Sequence, residues 1–219
     1  MPASERHGEA PPVDVALRAG MAVFNDGRHH AAHDAWEPTW LAVEGDDARL
    51  LQGLIQFAAA LHHARTANWS GLRGLARGAA DYLGPLPADY RGVNVGAVRA
   101  YAAATAADPE RVERRAPPAL THRGRRVTYA DVDAPATFVA ASALAEGTDH
   151  EAVVEDAVRY ARAALDEGRP TSPFVTLVVD YVREGQAAVV VQRLGEHVER
   201  RRSRERDVEG LFEAGDGDE

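Results

Sequence analysis

The feature that most constrains the fold is a segment with no charged side chain, residues 50–64, inside a longer helical pattern. A helix that is apolar almost all round is usually buried at the centre of a bundle. The segment is too short to cross a membrane, which needs roughly 20 apolar residues. The first 14 residues show no apolar run typical of a secretory signal. We therefore predict a soluble, cytoplasmic protein in which this helix lies inside.

Apolar periodicity and capping residues predict helices along most of the chain. Short turns between the first four helices indicate antiparallel neighbours. The fold class is all-α, an antiparallel helical bundle with a helical C-terminal extension. A β-prone patch at residues 126–129 interrupts a long connection. The predicted helices are residues 13–24, 28–43, 47–67, 70–83, 94–107, 136–146, 149–167, 173–182 and 186–206.

Three regions follow from this pattern. Residues 13–90 form the predicted helical core, and residues 91–206 form a mostly helical extension packed on that core. Residues 207–219 hold six acidic and no basic side chains, and we predict a disordered acidic tail there.

The composition excludes several classes of reactive group, because all 25 basic residues are arginine and there is no cysteine. Without lysine there is no Schiff base and no P-loop lysine. Without cysteine there is no thiol nucleophile, disulfide or thiolate zinc site. Histidines and carboxylates remain as the main reactive groups. The net charge of -9 and the missing lysines predict an acidic, halophilic protein.

A helical wheel of the second helix collects polar and aromatic residues on one face. The tryptophans indicate that this face is buried. His30 and Asp34 are predicted to point elsewhere, and Pro38 predicts a kink. The face consists of His29, His33, Trp36, Glu37 and Trp40.

The third helix carries a matching polar stripe of Gln52, Gln56 and His63. In an antiparallel hairpin, the two glutamines would approach Glu37 and His33. Two polar stripes would then meet inside an apolar bundle.

This cluster has three interpretations. The first is a non-enzymatic packing or interaction module, in which a buried His/Glu/Gln network fixes helix register. The second is a metal-dependent enzyme, of hydrolytic type, with His33 as a ligand of a divalent transition metal, Glu37 as ligand or general base, and His29 or His63 as a further donor. The third is a ligand pocket.

These residues resemble the motifs of domain-of-unknown-function family 309. The resemblance covers residues 15–85 and rests on Phe24-Asn25-Asp26-Gly27, His33-Asp34 with Trp36-Glu37 and Trp40, Gln52-Gly53-Leu54-Ile55-Gln56, and Asn68 with Gly71. It implies a small all-α bundle with no established activity, and a C-terminal part like the extension of haloarchaeal members. Asp34 and Ala67 depart from the pattern, where glutamate and glycine are usual.

A basic cluster near the end comprises Arg200, Arg201, Arg202, Arg204 and Arg206. A solvated helix end explains it better than nucleic-acid binding, because the acidic tail would compete for the arginines. We expect no membrane contact. The partners and the oligomeric state stay open, homo-oligomers included.

Overall fold

A computed structural model describes the backbone of residues 10–213 and the side chains of residues 10–207. The chain divides into two compact units, Met1–Leu144 and Ala145–Glu219. We call them unit 1 and unit 2. The division falls after residue 144.

Unit 1 is helical apart from one small hairpin, as the all-α prediction requires. The bounds of the helices agree with the predicted ones to within about three residues. The short helix α6 lies in the connection that the sequence left irregular. The helices are α1 (Val13–Asn25), α2 (His29–Trp40), α3 (Gly45–Arg65), α4 (Trp69–Leu83), α5 (Val95–Ala107), α6 (Arg111–Arg114) and α7 (Ala134–Ala145).

Helix α3 is the buried centre of unit 1, as its uncharged segment predicts. It packs against α2 on one side and against α4 on the other. Leu50, Leu54, Phe57 and Leu61 are almost completely buried. Each such side chain stabilises the fold by about 1.5–3 kcal/mol. The fold therefore holds α2 and α4 in place against the two sides of α3.

Two glycines allow helices to approach closely. A Cβ atom built on Gly20 of α1 would lie 2.2 Å from Cε2 of Trp36. A Cβ atom on Gly78 of α4 would lie 1.8 Å from Oε1 of Gln56. The Trp36 ring thus lies on the α1 backbone, and the Gln56 amide lies on the α4 backbone.

The strands β1 (Thr121–His122) and β2 (Arg125–Arg126) form an antiparallel hairpin. The predicted patch at residues 126–129 overlaps it only at Arg126. The side chain of Asn25 joins the hairpin base to the end of α1. It accepts a hydrogen bond from the Leu120 amide at 2.8 Å and donates to the carbonyls of Leu120 and Val127. Two distant segments of unit 1 are fastened together in this way.

Asn94 also holds the segment that leads into β1 in place. The sequence predicts it as the cap of α5, and α5 does begin at Val95, but its side chain makes no capping bond. Its amide instead donates to the Ala119 carbonyl and accepts from the Thr121 amide, both at 2.9 Å. The capping prediction is wrong because the loop backbone takes up the amide.

Unit 2 contains α8 (Glu151–Asp166), α9 (Pro173–Arg183) and α10 (Ala188–Glu213), which pack against one another. The hydroxyl of Ser172, the residue before Pro173, caps α9 by accepting a hydrogen bond from the Phe174 amide. Helix α10 continues to Glu213, beyond its predicted end at residue 206. The rest of the predicted acidic tail, residues 214–219, lies outside the described residues.

No helix between residues 10 and 213 combines the length and the apolar composition that crossing a bilayer requires.

Candidate functional site

The open end of the α2–α3 hairpin collects histidines from both helices. The start of α2 lies beside the end of α3, so that the rings of His30 and His62 are 5.2 Å apart between centroids. The His30 and His33 rings are 6.1 Å apart, and those of His62 and His63 are 6.2 Å apart. We call these four residues the histidine cluster.

Asp34 joins two of these histidines. Its Oδ1 lies 2.8 Å from Nδ1 of His33, and its Oδ2 lies 3.5 Å from Nδ1 of His30. The side chain of Asp34 is 10% exposed, whereas that of His30 is 71% exposed. One potential ligand atom from each of the three residues lies within 4.8 Å of the others. Two imidazoles and one carboxylate are donors that suit zinc and similar divalent metals.

His30 and Asp34, which the sequence predicts to point away from the tryptophan face, both lie beside His33 of that face. A spacing of three and four residues places side chains on one face of a helix. His30, His33 and Asp34 have that spacing and contact one another at the partly exposed edge of α2. The sequence analysis placed the site on the tryptophan face of α2. It therefore missed the neighbouring edge, which carries His30 and Asp34.

The other predicted residues of α2 lie on its inner side. Trp36 is fully buried and Thr39 nearly so, whereas Trp40 and Glu37 are partly buried. Pro38, where the sequence predicts a kink, lies within α2, which continues to Trp40.

Two members of the predicted stripe on α3 lie against α4. Gln56 lies against Gly78 of α4. His63 also faces α4, since its Nδ1 lies 2.9 Å from Nδ2 of Asn68. Asn68 in turn caps α4 by accepting from the Gly71 amide. His62, which the sequence analysis did not single out, is the α3 residue beside His30.

Two polar atoms of the predicted site residues are buried without a hydrogen-bond partner among the described residues. They are Nδ1 of His29 and Oε1 of Gln52. A packing network that fixes register is expected to satisfy such atoms, because each unsatisfied one costs about 1–3 kcal/mol.

Burial lowers the pKa of two of the imidazoles. The pKa of His29 is lowered to about 4, first by burial and then by the charges of Arg65 and His62. The pKa of His62 is also lowered, by burial and by His30, His63 and Arg65. A neutral imidazole keeps the lone pair with which it can bind a metal.

The C-terminal arginines are largely engaged within unit 2. Arg201 pairs with Glu205, and Arg206 pairs with Glu199, each at 2.9 Å. Arg202 pairs with Asp156. These pairs agree with the interpretation of this cluster as a solvated helix end.

Fold and site together define a helical chain in which a two-helix hairpin presents a His/Asp cluster. Residues 17–75, which hold α2 and α3, match the family described as "Domain of unknown function (DUF309)". The match covers well under half of the 219 residues and agrees with the resemblance of the motifs. No curated protein is significantly similar to the chain.

Proposed function

We propose that this chain is a helical binding module that takes a divalent transition metal at His30, His33 and Asp34. The observation that carries the proposal is the mutual distance of at most 4.8 Å among one ligand atom of each residue. Two ligands 2.0–2.1 Å from a tetrahedral zinc ion lie roughly 3.3 Å apart. The distances of 2.8 and 3.5 Å from Asp34 to the two histidines bracket that value.

The residues around His30, His33 and Asp34 support the proposal. His62 comes from the other helix, and its ring centroid lies 5.2 Å from that of His30, which makes it the candidate for a fourth ligand. A metal bound by both helices would tie the start of α2 to the end of α3. This proposal combines the non-enzymatic module of the first interpretation with the metal of the second.

Zinc binding can be measured by calorimetry on tag-free protein previously treated with a chelator. We expect saturable binding of one zinc ion per chain. Asp34→Asn and His33→Gln should each weaken it at least tenfold, since loss of a metal-site group typically costs about 10- to 100-fold or more. The matched control is His197→Gln, which removes a histidine of unit 2. Binding of less than about a tenth of an equivalent to the unaltered chain, or equal loss in the control, would contradict the proposal.

The second candidate is a metal-dependent enzyme of hydrolytic type. Three protein ligands leave a coordination position for water, as in catalytic zinc sites. The partly buried Glu37 lies one turn after His33 on α2 and would act as the general base. Under this hypothesis, Glu37→Gln keeps zinc and abolishes zinc-dependent hydrolysis of an activated ester. Equal hydrolysis by the variant and the unaltered chain would exclude Glu37 from that role.

A further inference from the structure

A second site lies in unit 1, in a cleft of about 660 Å³. Three pieces of the chain form it: the first turns of α1, the turn at residues 90–93 and the β1–β2 hairpin. We call it the arginine cleft. Its basic lining residues are Arg18, Arg91, His122, Arg123, Arg125 and Arg126.

The arginines of the cleft fall into two groups. Arg91 donates to Asp47 at 2.5 and 2.6 Å and to Asp14 at 3.0 Å, and Arg18 pairs with Asp133. These two are held by carboxylates.

The hairpin arginines are not neutralised in this way. Arg126 donates to the backbone carbonyl of Asn25 at 2.6 Å. Neither Arg123 nor Arg125 lies at ion-pair distance from a carboxylate in the part of the chain that the structure describes. The lining carboxylate Asp131 accepts hydrogen bonds from the amide and hydroxyl of Thr128. In a chain of net charge -9, three guanidinium groups beyond ion-pair distance of a carboxylate give the cleft a local excess of positive charge, which Asp131, whose pKa is lowered by the hydrogen bonds from Thr128 and by the charge of Arg125, offsets only in part.

Hydrogen bonds to neighbouring segments also hold the hairpin backbone in place. The Arg123 amide donates to the Gly92 carbonyl at 2.6 Å. Gly92 has a φ of +75°, and a Cβ atom there would lie 3.0 Å from Cγ of Arg123. Together with the bonds of Asn25 and Asn94 to the hairpin base, this contact fixes the backbone that carries the arginines. A site built on a fixed backbone loses less conformational entropy when a ligand binds.

We propose that the arginine cleft binds a small polyphosphate anion. Guanidinium groups present paired N–H donors that match phosphate oxygens, and several of them together favour an anion with several charges. The volume lies within the range of roughly 300–1,000 Å³ that small-molecule sites occupy. The lining contains no phenylalanine, tyrosine or tryptophan. Single-stranded nucleic acids usually stack bases on such rings, so the cleft favours the phosphate chain itself.

The test is calorimetric titration at low salt with inorganic tripolyphosphate. The variant is Arg123→Gln/Arg125→Gln, and its control is Arg73→Gln/Arg77→Gln, which removes the same charge from exposed positions of α4. We expect the cleft variant to bind at least tenfold more weakly, with the control within about twofold of the unaltered chain, since tenfold corresponds to 1.4 kcal/mol. The single variant Arg125→Lys keeps the charge but loses the paired donors, and should bind at an intermediate strength.

Further titrations identify the source of the phosphate chain. Equal affinity for ATP and tripolyphosphate would assign recognition to the phosphates, whereas tighter binding of ATP would indicate a nucleotide; both support the proposal. No binding at millimolar tripolyphosphate, or equal loss in the α4 control, would overturn it. A single-stranded oligonucleotide that binds through the same arginines more tightly than tripolyphosphate would also overturn it. Unchanged thermal unfolding of the variants by tryptophan fluorescence shows that the fold is intact.

Discussion

Replacing Gly20 by alanine should destabilise unit 1, although the same change usually stabilises a helix. Alanine in a helix interior is favoured over glycine by about 0.5–1 kcal/mol. At Gly20, however, the new methyl group would lie 2.2 Å from Cε2 and Nε1 of Trp36. Trp36 is 0% exposed, so its ring has no room to move away.

The size of the effect follows from these two contributions. Extra methyl groups in a well-packed core cost about 1–3 kcal/mol, and a contact this short belongs at the upper end. After the gain in helix propensity is subtracted, we expect a loss of about 2 kcal/mol. For a chain of this length, 1 kcal/mol moves the Tm by about 2–4 °C. The Tm should therefore fall by about 4–8 °C.

A matched control is available in α4. A Cβ atom on Gly74 meets nothing within 4 Å. Gly74→Ala should therefore raise the Tm by about 1–4 °C. Tryptophan fluorescence monitors unit 1 alone, because Trp36, Trp40 and Trp69 all lie in it. If Gly20→Ala raised the Tm as much as Gly74→Ala, the close approach of α1 to the Trp36 ring would be wrong.

Three further changes test other parts of the fold. Asn25→Ala should destabilise unit 1 by about 2–4 kcal/mol, because three hydrogen bonds to the hairpin backbone are lost; a loss under about 0.5 kcal/mol in urea unfolding would contradict this. The pKa of Asp47 is held below 3.8, first by hydrogen bonds from Arg91. This stabilisation is complete above the unfolded pKa and disappears as the pH falls through the folded pKa. The Tm difference between the unaltered chain and Asp47→Asn should thus shrink from about pH 6 to pH 3, and a constant difference would refute the assignment. Ser172→Ala should cost unit 2 about 1 kcal/mol through loss of the α9 cap, measured by far-ultraviolet circular dichroism.

The helices could be predicted because their signals are local. The uncharged segment of α3, the Asn68 cap of α4 and the Ser172-Pro173 start of α9 each depend on residues a few positions apart. Even there, a helical wheel does not show which side of α3 packs against α2 and which side packs against α4. Gln56 and His63 lie against α4, and His62 instead reaches α2.

The candidate sites were harder to predict, for two physical reasons. At the proposed metal site, His30 and Asp34 lie at the edge of the buried face of α2, where side-chain length decides the contacts. In the arginine cleft, two-residue strands leave almost no periodic signal. The hairpin is held by Asn25 from about a hundred residues away, and a single sequence contains no trace of that pairing.

The hydrogen bonds from Asn25 to the β1–β2 hairpin show that the family motifs depend on a segment outside the matched residues. The family match begins in α1 and ends inside α4, at residue 75. Yet Leu72 and Ala76 of α4 pack with Ala106 and Val112, which lie beyond it. A chain cut near residue 90 would leave this apolar side open and the Asn25 amide without its backbone partners. A shorter protein with the same motifs must therefore close that side with another segment or with a second copy of itself.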